Sequence, residues 1–225
     1  MFTRAVTECP LINRFNMSQF NVQDKYFQRA KQEGYRARSV YKLEGIQERY
    51  NILKAGDKVL DLGGAPGSFL QYISRIVGEK GIAVGVDLQK IEPFPEKNIV
   101  ALQADIFDED LNTKIVQELN TKFTQKLNTN FIQFNVITSD LAPKTSGVKF
   151  MDGGASLDLS LQVLELAKSQ LKKGGHCIIK FLPGFNEGDL LAPANEIFKT
   201  VRKFRPDAIR KSSGEKYLVC LNKIS

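Results

Sequence analysis

Short apolar runs alternate with amphipathic stretches along most of the chain, and the runs end on glycines or acids. Lys58–Leu62 runs into Gly63-Gly64-Ala65-Pro66-Gly67, residues 82–86 stop at Asp87, Ile99–Gln103 is followed by Asp105, and residues 134–138 lead to Ser139-Asp140. A fifth run, 176–181, carries Lys180 between Ile179 and Phe181. Between them, Ser68–Val77, 157–171 and 189–204 repeat their apolar positions at helical spacing. Strands alternating with helices predict an α/β fold: a mostly parallel sheet with helices on both faces. Two late runs, 208–209 and 217–221, fit an antiparallel hairpin at the sheet edge. A 225-residue chain has room for one such domain.

The 42% hydrophobic and 25% charged content is that of a globular protein, and no apolar run nears the ~20 residues needed to span a bilayer. The net charge of +7 is unevenly spread. Residues 1–58 hold 11 basic and 6 acidic side chains, residues 59–198 hold 13 and 17, and residues 199–225 hold 8 and 2. An acidic middle between two basic ends suits a phosphate backbone if the ends meet in space. Cys9, Cys177 and Cys220 lack any CxxC pattern and there is one histidine, His176, so neither a disulfide framework nor a metal centre is expected. Cys177 and Cys220 read as core residues of a protein from a reducing compartment.

Residues 1–23 are expected to be a flexible leader and 24–225 the domain, with 24–58 a basic helical part. The cytoplasm is the expected compartment, or an organelle matrix if the leader is a targeting segment. Leu111-Asn-Thr-Lys, Leu119-Asn-Thr-Lys and Leu127-Asn-Thr-Asn recur every eight residues, and 111–134 is read as an expanded surface segment.

In a doubly wound sheet, ligands bind at the carboxyl ends of the strands. Three acids lie there. Asp61 precedes the glycine-rich turn, Asp87 suits a ribose diol, and Asp105 suits an adenine amino group. The glycine spacing departs from G-x-G-x-x-G, and a dinucleotide pyrophosphate prefers a helix N-terminus free of acids. The three acids therefore favour S-adenosylmethionine, which carries an ammonium and a sulfonium. An NAD-dependent oxidoreductase is the competing reading on the same sheet.

Four stretches resemble the FtsJ-type ribose 2′-O-methyltransferases: Tyr35-Arg-Ala-Arg-Ser-Val-Tyr-Lys-Leu, Asp61-Leu-Gly-Gly-Ala-Pro-Gly-Ser-Phe, Ser139-Asp-Leu-Ala-Pro-Lys-Thr-Ser-Gly and Ser212-Ser-Gly-Glu-Lys-Tyr. The resemblance spans about 24–222. It implies a Rossmann-like, seven-stranded S-adenosylmethionine-dependent methyltransferase fold and a catalytic tetrad of Lys42, Asp140, Lys180 and Glu215. Donor contacts would come from Asp61, Gly63, Gly64, Ala65, Pro66, Gly67, Phe69, Asp87, Leu88, Asp105, Ile106 and Asp140. Phe69 stands where relatives often carry Trp, and Gly63-Gly64 replaces the commoner Gly-Ala or Cys-Ala.

A ribose hydroxyl needs a base, whereas the methyl of a sulfonium is already activated, so no metal is required. A lysine on a core strand can be desolvated toward that role, which points to Lys180. The RNA is expected to touch Arg36, Arg38, Lys42, Arg210 and Lys211. The compact C-terminal end resembles the large-subunit ribosomal RNA enzymes, with a uridine as target and a monomer as the working unit. The tRNA anticodon-loop enzymes are the alternative, and a catalytically silent RNA-binding protein is a more remote one.

Overall fold

The computed structural model describes residues 17–123, 132–144 and 146–225. The elements run α1 (Met17–Gln32), α2 (Val40–Tyr50), β1 (Lys58–Leu62), α3 (Ser68–Val77), β2 (Ile82–Asp87), β3 (Ile99–Gln103), α4 (Leu111–Lys122), β4 (Phe134–Ser139), α5 (Lys149–Gln170), β5 (Leu171–Phe181), α6 (Gly188–Ile197), β6 (Phe198–Phe204) and β7 (Lys216–Lys223). The sheet order is β3-β2-β1-β4-β5-β7-β6. β1 to β5 pair in parallel, and β7 is antiparallel to both β5 and β6. Strand order reverses between β1 and β4, which opens a crevice at their carboxyl ends.

Both faces of the sheet are buried, so consecutive strand residues serve opposite layers. Val59, Ala83, Val136, Ile178 and Val219 pack with α2 and α3. Leu60, Val84, Ile137, Ile179 and Leu218 pack with α4, α5 and α6. This period of two explains why the strands read as continuous apolar runs. It also puts Lys180 on the same side as Ile178, beneath α2.

Several expectations change. The 189–204 stretch is not one helix, because α6 ends at Ile197 and 198–204 become β6. β7 would otherwise leave its backbone groups unpaired on that side, and ladder hydrogen bonds to β6 satisfy them. The hairpin partner of β7 is thus β6, and Ala208 and Ile209 are a buried plug in the connecting loop. Ala208 packs with Ala30, Val40 and Tyr41, and Ile209 joins the α2–α3 core. This plug draws the 205–215 loop against α2.

The 111–134 stretch carries a core helix. Leu111, Ile115, Val116 and Leu119 of α4 are buried, and a repeat of eight keeps both leucines on that apolar face. The third copy, at Leu127, lies outside the described residues, as do Cys9 and residues 1–16. Helix α1 already begins at Met17, within the stretch read as leader. Finally, α5 starts at Lys149, well before the periodic 157–171 segment. A Cβ on Gly153 would sit 2.6 Å from backbone atoms of Gly184, so the glycine that weakens the helix locally permits its close packing.

Lys223 closes the core from the far end. Buried, its Nζ donates to the carbonyls of Lys168 (2.6 Å) and Leu171 (2.8 Å) at the end of α5. Lys223→Met keeps the volume but leaves both carbonyls without that donor. It should cost about 2 kcal/mol, read as a lower urea midpoint at constant slope; an unchanged midpoint would show that the bonds contribute nothing net.

Candidate active site

The glycine-rich turn leaves the end of β1 and doubles back over it. Gly63 and Gly67 have φ of 78° and 112°, which side chains other than glycine's rarely permit. Asp87 ties this turn to β2: its Oδ2 accepts from the Ala65 N–H at 2.9 Å and its Oδ1 from the Gln89 N–H at 2.8 Å. The Ala104 N–H donates to the Asp87 carbonyl at 3.0 Å, which sets Asp105 next to Asp87 across neighbouring strand ends. Asp61 lies beneath the turn, completely buried. Its Oδ1 accepts from the Thr138 hydroxyl at 2.7 Å, while its Oδ2 has no hydrogen-bond partner. Burial, with the nearby Asp140 and Asp87 charges, pushes its pKa up to about 8 against the pull of Thr138.

An orphaned buried carboxyl oxygen beneath a glycine-rich turn fits a ligand that brings a hydrogen-bond donor such as an ammonium, as do the flanking acids. These residues fit S-adenosylmethionine. The glycine turn, Asp61, Asp87 and Asp105 would hold it, with exposed Leu88 and Phe107 supplying apolar surface beside the two outer acids.

On the other side of the β1–β4 crevice, four charged side chains from four parts of the chain meet. Asp140 follows β4 directly, and its N–H donates to the Leu62 carbonyl at 3.1 Å. Its Oδ1 lies 3.1 Å from Lys180 Nζ and 3.8 Å from Lys42 Nζ. Lys42 also pairs with Glu215 at 2.9 Å. Lys180 is only 8% exposed, and its ammonium donates to the Asp140 carbonyl as well. Two ammonium groups and two carboxylates thus balance in a half-buried cluster. Such a cluster is costly to desolvate unless its members also satisfy one another.

The FtsJ-like methyltransferase family profile matches residues 35–223, spanning both the glycine turn and the cluster. The chain belongs to this family. The ribosomal RNA large subunit methyltransferase E of Syntrophobacter fumaroxidans is 43% identical over 89% of this chain and 95% of its own length. Its counterpart in Bdellovibrio bacteriovorus is 39% identical over 91% and 98%. A Plasmodium falciparum structure, provisionally described as a ribosomal RNA methyltransferase, superposes with a TM-score of 0.71 at 28% identity, covering 85% of this chain and all of that one. Aeropyrum pernix fibrillarin, solved with S-adenosyl-L-methionine bound, shares the fold alone (TM-score 0.52, 15% identity, 83% and 75% coverage).

In this FtsJ-like methyltransferase the four tetrad residues converge as the resemblance implied, and the glycine turn, Asp61, Asp87, Leu88 and Asp105 share one end of the sheet. Phe69 and Ile106 do not present their side chains there. Both are buried, Phe69 in the α2–α3 core and Ile106 in the α4–α6 core, so they support the site from below. Arg36 also changes role. Its guanidinium donates to the carbonyls of Pro66 (2.9 Å), Glu92 (2.7 Å) and Pro93 (2.5 Å) and stacks on Phe94. Those bonds tie the Pro66 end of the glycine turn to the 92–93 loop and give Arg36 a structural role there.

Arg38 and Arg210 do flank an open groove of about 360 Å³, with Ser212 and Ser213, that ends at Lys42 and Glu215. Arg38 donates to the Ala208 carbonyl at 2.6 Å but keeps a buried Nη1 without a partner. Lys211 is exposed next to Arg210.

Sequence reasoning missed Tyr217. Directly across the ladder from Lys180 and fully buried, its hydroxyl donates to Asp140 Oδ1 at 2.5 Å. Burial, and next the Asp140 charge, raise its pKa well above the ordinary phenol value, so it remains a donor. The one available signal was its place two residues after Glu215.

Two predictions follow from these geometries. Tyr217→Phe keeps the ring but frees one side of Asp140; turnover should fall roughly tenfold, the scale of one hydrogen bond to a charged group. Turnover equal to wild type would show that Asp140 needs no such support. For Asp61, the folded protein keeps a proton that an unfolded carboxyl releases near about pH 3.9. The wild type should therefore lose stability relative to Asp61→Asn as pH rises from 5 to 8. Denaturation midpoints at both pH values measure this, and a pH-independent difference would contradict the buried, protonated carboxyl.

Proposed function

We propose that this methyltransferase moves a methyl group from S-adenosylmethionine to the 2′-hydroxyl of a uridine in large-subunit ribosomal RNA. One observation carries the reading: Asp140 draws Lys180 and Lys42 to a single carboxylate, with Glu215 on Lys42, at the crevice that the glycine turn also borders. S-adenosylmethionine, when bound, supplies a methyl already activated by its sulfonium. The protein must then deprotonate a poor nucleophile and align it.

Lys180, once its ammonium has released a proton to solvent, takes the 2′-hydroxyl proton on its Nζ as the oxygen attacks the methyl. Asp140, fixed by the Leu62 carbonyl and by Tyr217, holds that amine in place and stabilises the positive charge that returns to it. Lys42, braced by Glu215, orients the ribose from the α2 side. Arg38 adds its positive charge to the lining of the groove, and exposed Arg210 and Lys211 attract the phosphate backbone along it. The large-subunit RNA as substrate is supported by the names of the close relatives and by this basic groove.

Transfer of labelled methyl should be seen with large-subunit ribosomal RNA and not with tRNA, and it should vanish when the acceptor ribose becomes deoxyribose. Preference for tRNA would move the substrate to the anticodon-loop class, and transfer to the deoxyribose acceptor would exclude the 2′-hydroxyl. Lys180→Ala should slow turnover by about 10²-fold or more while donor affinity stays within a few-fold. Near-normal turnover would remove Lys180 as the base. Arg210→Gln with Lys211→Gln should flatten the slope of log affinity against log salt by about 1.4, two phosphate contacts on a single strand; an unchanged slope would place the RNA elsewhere.

A further inference from the structure

The most exposed large hydrophobic side chain among the described residues is Phe150, 80% exposed, in the first turn of α5. Met151 follows at 61% and Val148 lies two residues before at 52%. Three such residues within four positions are more than scattered surface apolarity needs to explain. The turn is fixed in place. Asp152 accepts from the Ser146 N–H (2.7 Å), the Ser146 hydroxyl (2.8 Å) and the Gly147 N–H (3.2 Å). Folding does not require Phe150 to point outward, since its neighbours Gly153 and Ser156 supply the buried side of the helix.

Its location gives it a use. A Cβ on Gly153 would press on Gly184, and one on Gly214 would lie 2.8 Å from Pro183. The loops 182–184 and 213–215 and the first turn of α5 therefore form a continuous rim. Glu215 lies at one end of this rim and Phe150 at the other, with Lys180 at its base. The Leu182 N–H donating to Ser156 Oγ at 2.9 Å locks α5 to the strand that bears Lys180. Lys144 and Lys149 are exposed beside the apolar group, and the first acid after them is the capping Asp152.

Lys180 is nearly covered, so a ribose can approach it only if its nucleotide leaves the stack. Extrusion strips one stacking partner from the neighbouring base, at a cost of a few kcal/mol. An aromatic ring on the rim can replace that partner, because every base has a π-face.

We infer that Phe150, flanked by Val148 and Met151, is a stacking platform for an unpaired RNA base adjacent to the target nucleotide, with Lys144 and Lys149 attracting its phosphates. The inference rests on the RNA reading above and extends it. The acceptor strand would run from the Arg38–Arg210 groove, across the tetrad, to Phe150. The enzyme would then require single-stranded or locally opened RNA.

The chain contains no tryptophan, so Phe150→Trp provides a single tryptophan, excited selectively over the six tyrosines, at the platform. A uridine-containing single-stranded RNA should quench it, and the same RNA annealed to its complement should not. Phe150→Ala should weaken binding of the single strand by about 5- to 150-fold, the range for one lost base stack. The KM for RNA should rise more than kcat changes, donor affinity should hold, and Phe150→Tyr should restore binding.

Single-strand binding by Phe150→Ala within twofold of wild type would overturn the platform, as would equal quenching by duplex. A sedimentation shift from dimer to monomer in Phe150→Ala would also overturn it and assign the patch to a second copy of the chain. The doubly neutralised Arg210→Gln, Lys211→Gln protein separates the two levels. If it loses RNA binding while Phe150→Ala does not, the platform alone fails. If neither loses it and wild type methylates no RNA, the RNA reading fails.

Discussion

A single carboxylate organises the crevice at the carboxyl ends of β1 and β4. Asp140 faces Lys180, Lys42 and Tyr217 at once, and each comes from a different element: β5, α2 and β7. The backbone is held just as firmly, because Asp140 donates to Leu62 across the β1–β4 boundary. Removing the carboxylate would leave two cations facing each other in a half-buried cleft, whereas with Glu215 the cluster is electrically balanced. Buried ion pairs add little net stability on average. This one makes sense as a device for holding an amine at a defined point beside the donor crevice.

A different electrostatic logic applies on the adjacent strand, β1. Asp61 has no cation facing it, and its surroundings favour the protonated form. The same end of the sheet thus carries one carboxyl surrounded by two ammonium groups and a phenol and another kept protonated by burial. A carboxyl held protonated by burial beside a crevice is a mark of sites built for chemistry. The glycine turn permits this arrangement, and Arg36 ties the turn, through the Pro66 carbonyl, to the carbonyls of Glu92 and Pro93.

Much of this was legible in the sequence because the physics is local. Strands buried on both faces must be apolar throughout, helices must repeat every three to four residues, and Lys180 on a core strand required an explanation. The errors came where tertiary contact overrode local pattern. Residues 198–204 look helical by continuation but pair with β7; Gly153 argues against helix yet allows α5 to lie on Gly184. The eight-residue repeat reads as an expanded surface segment when its leucines are taken as a motif rather than as a helical face. Arg36 and Arg38 are two residues apart and equally basic on paper, yet one ties the glycine turn to the 92–93 loop and the other lines the groove beside Lys42. Tyr217 carried no charge to draw notice, and its contact with Asp140 spans 77 positions.

The proposed chemistry is tested most directly by locating the transferred methyl. After incubation with the methyl donor, large-subunit RNA would be hydrolysed in alkali, which cleaves wherever a free 2′-hydroxyl can attack its neighbouring phosphate. The label should be recovered in an alkali-resistant dinucleotide beginning with uridine. Label recovered in single nucleotides, methylated on the base, would contradict ribose methylation and with it the role assigned to Lys180.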